Sequence, residues 1–236
     1  MSVEVVIPWA GGCSHREEAL GWLNARLGSF YRTLAQYNRD PWSKAKAITP
    51  AVEVSSADII VMHDADAWCH GLEWAIEQVK DGAVWASPHD RVNRLTPAST
   101  RAVLDGADPE GLELIETHRA VWGGGIVVLP RETYLSCPLD PRFVGWGQED
   151  ISWANALWFL AGEGVRASAD LIHLWHPPQN RLTRDRGSAE NVALAARYRQ
   201  ARFKPGAMRE LVNEFRRTDA DRPAEQALSD HSAVLG

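Results

Sequence analysis

The chain has 236 residues, enough for one sizeable hydrophobic core with a small appendage. Hydrophobic residues at 45% and charged residues at 24% are an ordinary balance for a soluble globular protein. A formal net charge of -6 argues against a surface that coats nucleic acid, which would need a basic face. No run approaches the roughly 20 apolar residues of a membrane span. Cys13, Cys69 and Cys137 show no paired or Cys-x-x-Cys spacing, so reduced thiols in a cytosolic protein are expected. The N-terminus, running directly into Val3-Glu4-Val5-Val6-Ile7, is too short and too acidic for a signal peptide. Eleven Trp residues are a high count, and most of these rings are expected in the core.

In chain order, Val3 to Ile7 reads as a first strand stopped by Pro8. A loop from Ala10 to Cys13 leads to Ser14, expected as the N-cap of a helix that starts at His15. That helix carries Leu20, Leu23 and Leu27 at helical spacing and ends near Gly28. Phe30 to Tyr37 has a weak strand pattern, and Ser43 to Val54 reads as helix interrupted or restarted around Pro50. A buried strand then runs from Ala57 into Asp64-Ala65-Asp66. Leu72 to Val79 is an amphipathic helix and Ala83 to Ala86 a short strand. Asp90 to Glu116 has poor periodicity and reads as a loop with one short helix near Ser99 to Leu104. Gly123-Gly124-Gly125 opens a strand over Ile126 to Leu129, and Gln148 to Leu160 is helical with Trp153, Leu157 and Leu160 on one face. Val165 to Trp175 contains another strand, closed by Pro177-Pro178. Beyond Arg186 come charged helices broken at Pro205-Gly206, then a polar tail from Thr218. The alternation of strand and helix predicts an α/β fold with a mostly parallel, helix-flanked central sheet. The expected organisation is one domain over 1–180, a helical extension over 181–217 and a flexible tail over 218–236.

Four groups of residues could carry chemistry. Asp64 and Asp66 follow a buried strand, and ligands of open α/β sheets bind beyond the carboxyl ends of strands. Two acids there suit a hard divalent cation and the phosphate oxygens it bridges. Alternate residues of a continuing strand share a side, which would aim both at one ligand. The plainer alternative is that Asp64 caps the following helix and Asp66 is solvated. Gly145-Trp146-Gly147-Gln148-Glu149-Asp150 precedes a helix. Its acids could merely complement the helix dipole, but the Gly-Trp-Gly looks like a floor for a ring-shaped ligand. His173 and His176 offer imidazoles suited to Mn²⁺, Zn²⁺ or Fe²⁺. On a regular strand they would point to opposite faces, so both reach one ion only if the strand bends before Pro177. Arg16, Lys44 and Lys46 could bind phosphate, although a solvated lysine pair is the commoner outcome.

Together Ile7-Pro8-Trp9, Arg16, Trp42-Ser43-Lys44-Ala45-Lys46, Asp64-Ala65-Asp66, Gly124-Gly125, the Gly145 to Asp150 segment and His173-Leu174-Trp175-His176 resemble the GT-A glycosyltransferases. The likeness is to the β-1,4-galactosyltransferase and chondroitin-polymerase type, with its Gly-Trp-Gly-Gly-Glu-Asp signature, and it spans about Val3 to Pro178. Asp-x-Asp is weakly specific, the Gly-Trp-Gly segment more so, and the ordered set strong. The resemblance implies a GT-A, Rossmann-like fold and metal-dependent transfer of a sugar from a nucleotide-diphosphate donor, a UDP-sugar, to a hydroxyl of a glycan, protein or small molecule. It implies Asp66 and His176 as metal ligands, with His173 in the place of a weaker one, and manganese, or magnesium as the alternative, as the ion. It places Asp64 at the nucleotide ribose, and Pro8, Trp9, Arg16, Lys44, Gly124 and Gly125 around the donor. Asp150 takes the place of the base of an inverting reaction, with Glu149 and Trp146 lining the sugars. The chain departs in Gln148 for a glycine and in a longer loop between Pro8 and Arg16. With no stem or anchor before the domain, the expectation is a cytoplasmic enzyme of bacterial or phage type. Two alternatives stand beside it. A sugar-1-phosphate nucleotidyltransferase would want a basic phosphate loop, and Gly11-Gly12 has no following lysine. The other is a non-catalytic carbohydrate-binding scaffold.

Overall fold

Val and Ile crowd into three segments that are buried on both faces, and these form the middle of a six-stranded sheet. The computed structural model describes residues 1–37, 39, 41–177 and 187–220, the last three as backbone. The sheet is built from β1 (Val3–Trp9), β2 (Tyr31–Gln36), β3 (Ile59–His63), β5 (Ala86–Ser87), β8 (Ile126–Pro130) and β9 (Val165–Arg166), in the order β2-β1-β3-β8-β5-β9. Five strands run one way and β8 alone runs against its neighbours β3 and β5. The mostly parallel central sheet expected of an α/β fold is therefore present.

Side chains alternate between two cores, as the two-residue period of a strand requires. Val5, Ile7, Ile59, Val61, Ile126 and Val128 face α1 (Ser14–Leu27) and α3 (Leu72–Lys80). Val6, Ile60, Met62, Val127 and Leu129 face α2 (Lys44–Val54), α5 (Arg131–Ser136), α6 (Glu149–Leu160), α7 (Ala189–Ala201) and α8 (Pro205–Ala220). Each such side chain contributes roughly 1.5–3 kcal/mol by leaving water. The two C-terminal helices complete this second layer through Tyr198, Met208, Leu211 and Phe215. No helix among the described residues is long and apolar enough to cross a membrane.

A second, four-stranded sheet, β4 (Ala67–Cys69), β10 (Asp170–His173), β6 (Arg91–Leu95) and β7 (Leu114–Arg119) in that order, was not foreseen. The stretch expected as a loop with one short helix does contain that helix, α4 (Pro97–Leu104), but β6 and β7 flank it. Every residue of β7 is exposed, so no alternation of apolar and polar positions marks it as a strand. The segment Val165 to Trp175 holds two strands, one in each sheet, and the short strand at Ala83 shrinks to Ala86–Ser87.

Other local expectations are corrected as well. β1 continues through Pro8 to Trp9, because its ladder to β3 ends at Val6 and only the β2 side remains paired there. The first helix begins at Ser14, with Cys13 in the N-cap position and no side-chain cap. α2 runs unbroken past Pro50, with Ile48 and Val52 buried on either side of it, so packing offsets the hydrogen bond the proline cannot make. Of the eleven tryptophans, Trp22, Trp85 and Trp153 are buried in the core, and Trp9, Trp68, Trp122 and Trp158 pack against it partly exposed. The backbone of α8 reaches Ala220, and Pro178 and the rest of the expected tail lie outside the described residues.

Candidate active site

The strand ends converge on one cavity. β1, β3 and β10 bring their carboxyl ends to it, and the reversed β8 brings its amino end through Gly124-Gly125. Pro8, Trp9, Arg16, Lys44, Asp64, Asp66, Gly124, Gly125, Trp146, Glu149, Asp150, His173 and His176, all singled out in the sequence, line it together. Lys46 does not; its ammonium lies 5.8 Å from the Tyr37 ring.

The two aspartates do not share a strand face. β3 ends at His63 and the chain turns over Ala65 and Asp66, with the turn pinned by Asp64 N–H donating to Gly125 O at 3.0 Å and Leu174 N–H donating to Asp66 O at 2.8 Å. Asp64 therefore reaches Lys44 at 3.1 Å, while Asp66 reaches Arg16 at 3.2 Å, His176 at 3.2 Å and His173 at 3.8 Å. β10 pairs with β4 so that His173 stands opposite Ala67, the neighbour of Asp66. The strand stops there, and the bend that follows brings His176 back to within 5.3 Å of His173, ring centre to ring centre.

One carboxylate oxygen and one nitrogen from each ring in the Asp66, His173, His176 trio lie within 4.8 Å of one another. Each ring turns Nδ1 to a carbonyl, His173 to Leu174 O and His176 to Pro177 O, both at 2.8 Å. A carbonyl accepts only from N–H, so Nδ1 carries the proton and the Nε2 lone pair faces Asp66. Burial holds both imidazoles below their ordinary pKa, outweighing the pull of Asp66, and they stay neutral. Burial would raise Asp66, but the positive charge around it, with Arg16 bonded at 3.2 Å, outweighs burial and holds the carboxyl below its usual range. Two lone pairs and a carboxylate facing inward repel unless positive charge sits among them. Arg16 supplies some, bonding Asp66 and lying 3.3 Å from His176 Nε2. The donor set fits a divalent cation of the manganese kind.

At the other side of the cavity, Lys44 Nζ lies between Asp64 Oδ1 at 3.1 Å and Asp150 Oδ1 at 3.2 Å. Burial alone would lower its pKa, but Asp150, Asp64 and Glu149 raise it well above the ordinary lysine value. One ammonium shared among several acids leaves negative charge in excess. Glu149 is accordingly pushed up to about 7 by burial and by Asp150, with Lys44 opposing. Burial raises Asp150 too, Lys44 offsetting part of it. Glu149 Oε2 is buried without a hydrogen-bond partner. The start of α6 lies close against the glycines that lead into β8: a Cβ on Gly123 would stand 2.4 Å from Asp150 O and one on Gly124 3.0 Å from Asp150 Oδ2. Gln148 takes a left-handed conformation, φ 76°, to start that helix.

The cavity also uses Trp42, His89, Arg94 and His118, none of which was picked out as a site residue from the sequence. Trp42 lay inside the quoted Trp42-Ser43-Lys44 segment, so a signal existed. The others stand on or next to the unforeseen second sheet and had none. Burial pushes His89 down to about 4, so its ring is neutral, and its buried Nδ1 has no hydrogen-bond partner among the described residues.

No family model and no curated protein matches the chain. Among solved structures, GalNAc-T7 with UDP, GalNAc and Mn2+ superposes at a TM-score of 0.52 with 12% identity, over 88% of this chain and 51% of that one. The catalytic domain of Drosophila β1,4-galactosyltransferase 7 in complex with xylobiose aligns at 0.49 with 17% identity, over 79% and 74%. The mannosyltransferase PcManGT from Pyrobaculum calidifontis, in complex with GDP-Man and Mn2+, aligns at 0.47 with 14% identity, over 99% and 79%. The chain spans about half the length of the GalNAc-T7 chain, and that likeness is one of fold.

Proposed function

We propose that the chain is a metal-dependent glycosyltransferase that moves a sugar from a nucleotide-diphosphate donor, a UDP-sugar, to an acceptor hydroxyl with inversion. The observation that carries the reading is the facing of the Asp66 carboxylate and two imidazole lone pairs, in the same cavity as a half-buried acid pair. The UDP and Mn2+ of the GalNAc-T7 complex, on a shared fold, support it.

Asp66, His173 and His176 would hold the ion, which supplies neutralisation of the diphosphate charge when bound. Arg16 and Lys44 add fixed positive charge on the donor side, and Pro8, Trp9, Asp64, Gly124 and Gly125 shape that wall. Asp150 takes the proton of the acceptor hydroxyl as its oxygen bonds to the anomeric carbon. The bond from that carbon to the diphosphate breaks, and its electron pair leaves on the diphosphate. One displacement inverts the configuration. Trp146 offers a ring face to the sugars, and Glu149 lies beside them. The acceptor belongs to the glycan, protein or small-molecule class. The three free cysteines, two of them buried, suit a reducing cytoplasm, where we place the protein.

The test is incubation of the protein with a panel of nucleotide sugars, with and without Mn2+, reading release of nucleoside diphosphate. Mn2+-dependent release with at least one donor, abolished by Asp66→Ala, is expected. Pyrophosphate release from a nucleoside triphosphate and a sugar phosphate, with no donor cleaved, would replace this reading by a nucleotidyltransferase.

A further inference from the structure

Asn191, in the first turn of α7, is 0% exposed and lies outside the cavity lining. Its Nδ2 donates to Val144 O and to Gly147 O, both at 3.0 Å, and its Oδ1 accepts from Val144 N–H at 3.3 Å. Both amide protons and the carbonyl are thus spent on one loop, the one that carries Gly145-Trp146. A buried amide satisfied in this way fixes the backbone it binds. The approach to α7 lies against the same peptides, since a Cβ on Gly187 would stand 2.3 Å from Trp146 O. On its other side the loop is held by the start of α2. Gly145 N–H donates to Trp42 O at 2.6 Å and Ser43 Oγ donates to Phe143 O at 3.0 Å, next to Lys44.

The loop is therefore clamped between two helix starts that are far apart in sequence. It puts Trp146 in the cavity and, three and four residues on, Glu149 and Asp150. We infer that Asn191 is a positioning residue for the transfer reaction, holding the Gly145–Gly147 loop so that Trp146 and the acid pair meet the reacting sugars. The inference rests on the glycosyltransferase reading and assigns part of that site to a C-terminal helix. A residue that only anchored α7 would change stability and leave turnover per folded molecule alone.

The experiment compares Asn191→Ala, Gly187→Ala and, as a control at an exposed position of the same helix turn, Glu190→Ala. Gly187→Ala, at φ 76°, presses a Cβ onto Trp146 O and Gly147, the peptide that Asn191 holds, and so displaces the same loop from the other side where Asn191→Ala fails to fold. Three quantities are read: hydrogen exchange of amides 143–148, affinity for UDP with Mn2+, and Mn2+-dependent cleavage of the donor found active for the wild type. The first two variants should exchange faster in that segment and lose about 10- to 100-fold in kcat, the loss expected for misplacement of order 1 Å. Their UDP affinity and the Glu190→Ala values should stay at wild-type level. Folded variants with wild-type kcat, or a loss confined to donor KM, would overturn the assignment while leaving the glycosyltransferase reading intact. A wild type that cleaves no donor overturns both.

Discussion

Lys44 carries one positive charge into a set of carboxylates, and the imbalance decides how the acid pair behaves. Asp150→Asn keeps the shape of the pair while removing the carboxylate proposed as the base. Its sugar transfer should fall by about 10²–10⁴-fold, the usual worth of general-base catalysis, with UDP–Mn2+ binding retained by calorimetry. Undiminished transfer would remove Asp150 from that role. Glu149 gives a prediction in stability. Its folded pKa of about 7 lies above the ordinary 4.5, so the folded state holds the proton more tightly. That contribution is fully present below pH 4.5 and is lost as the pH rises through about 7. His173, His176 and His89, with pKa values lowered by burial, act in the opposite sense, because folding keeps them neutral. Wild type minus Glu149→Gln isolates the acid: the stability difference measured by urea unfolding should shrink from pH 4.5 to pH 7. At this scale the sequence was informative. Thirteen of the residues singled out meet in one cavity: strand ends and the turns beside them place eight, and the first turns of α1, α2 and α6 with the loop before α6 bring Arg16, Lys44, Glu149, Asp150 and Trp146. What it could not supply was their pairing. Asp64 turns to Lys44 and Asp66 to Arg16 and the histidines because the chain turns at Ala65, and nothing in an Asp-Ala-Asp triplet distinguishes a turn from a strand.

Elements were legible in proportion to how much of them is buried. β1, β3 and β8 read clearly since both faces are apolar. β7 was invisible since it has no buried face, and with it went the second sheet. Helix starts were offset by single residues where no side chain announces them. Cys13 occupies the N-cap of α1 in extended conformation, φ -131° and ψ 104°, without a side-chain bond. A serine fits that backbone and can accept from the first-turn N–H groups. Cys13→Ser should therefore stabilise the protein by about 0.5–1 kcal/mol in urea unfolding. An unchanged midpoint would show that the first turn is already satisfied elsewhere. Thr96 and Ser188 show the capped alternative, each accepting from the N–H three residues on.

On the scale of the whole molecule, the central sheet is a layer between two cores, and the C-terminal helices belong to one of them. Asp140 is the polar counterpart of that packing, bonded by Arg142 at 2.6 Å and by the Tyr198 hydroxyl at 2.9 Å. Phe215, 4% exposed on α8, shares its cluster with Val6 and Ile60 of the sheet. Phe215→Ala should cost about 3–5 kcal/mol, and sheet and helices should still unfold in one transition, followed by far-ultraviolet and tryptophan signals together. Two separated transitions would mean that α7 and α8 form a unit of their own. By itself the amino-acid order determined the layered α/β class, the strands of the middle sheet and the choice of polar side chains that line the cavity, since each depends on local periodicity or residue chemistry. Only the tertiary structure decided which acid meets which cation, that β10 bends to bring two imidazoles onto Asp66, and that Asn191 grips a loop more than 40 residues away. Those are contacts across the chain, set by packing geometry that no window of neighbouring residues encodes.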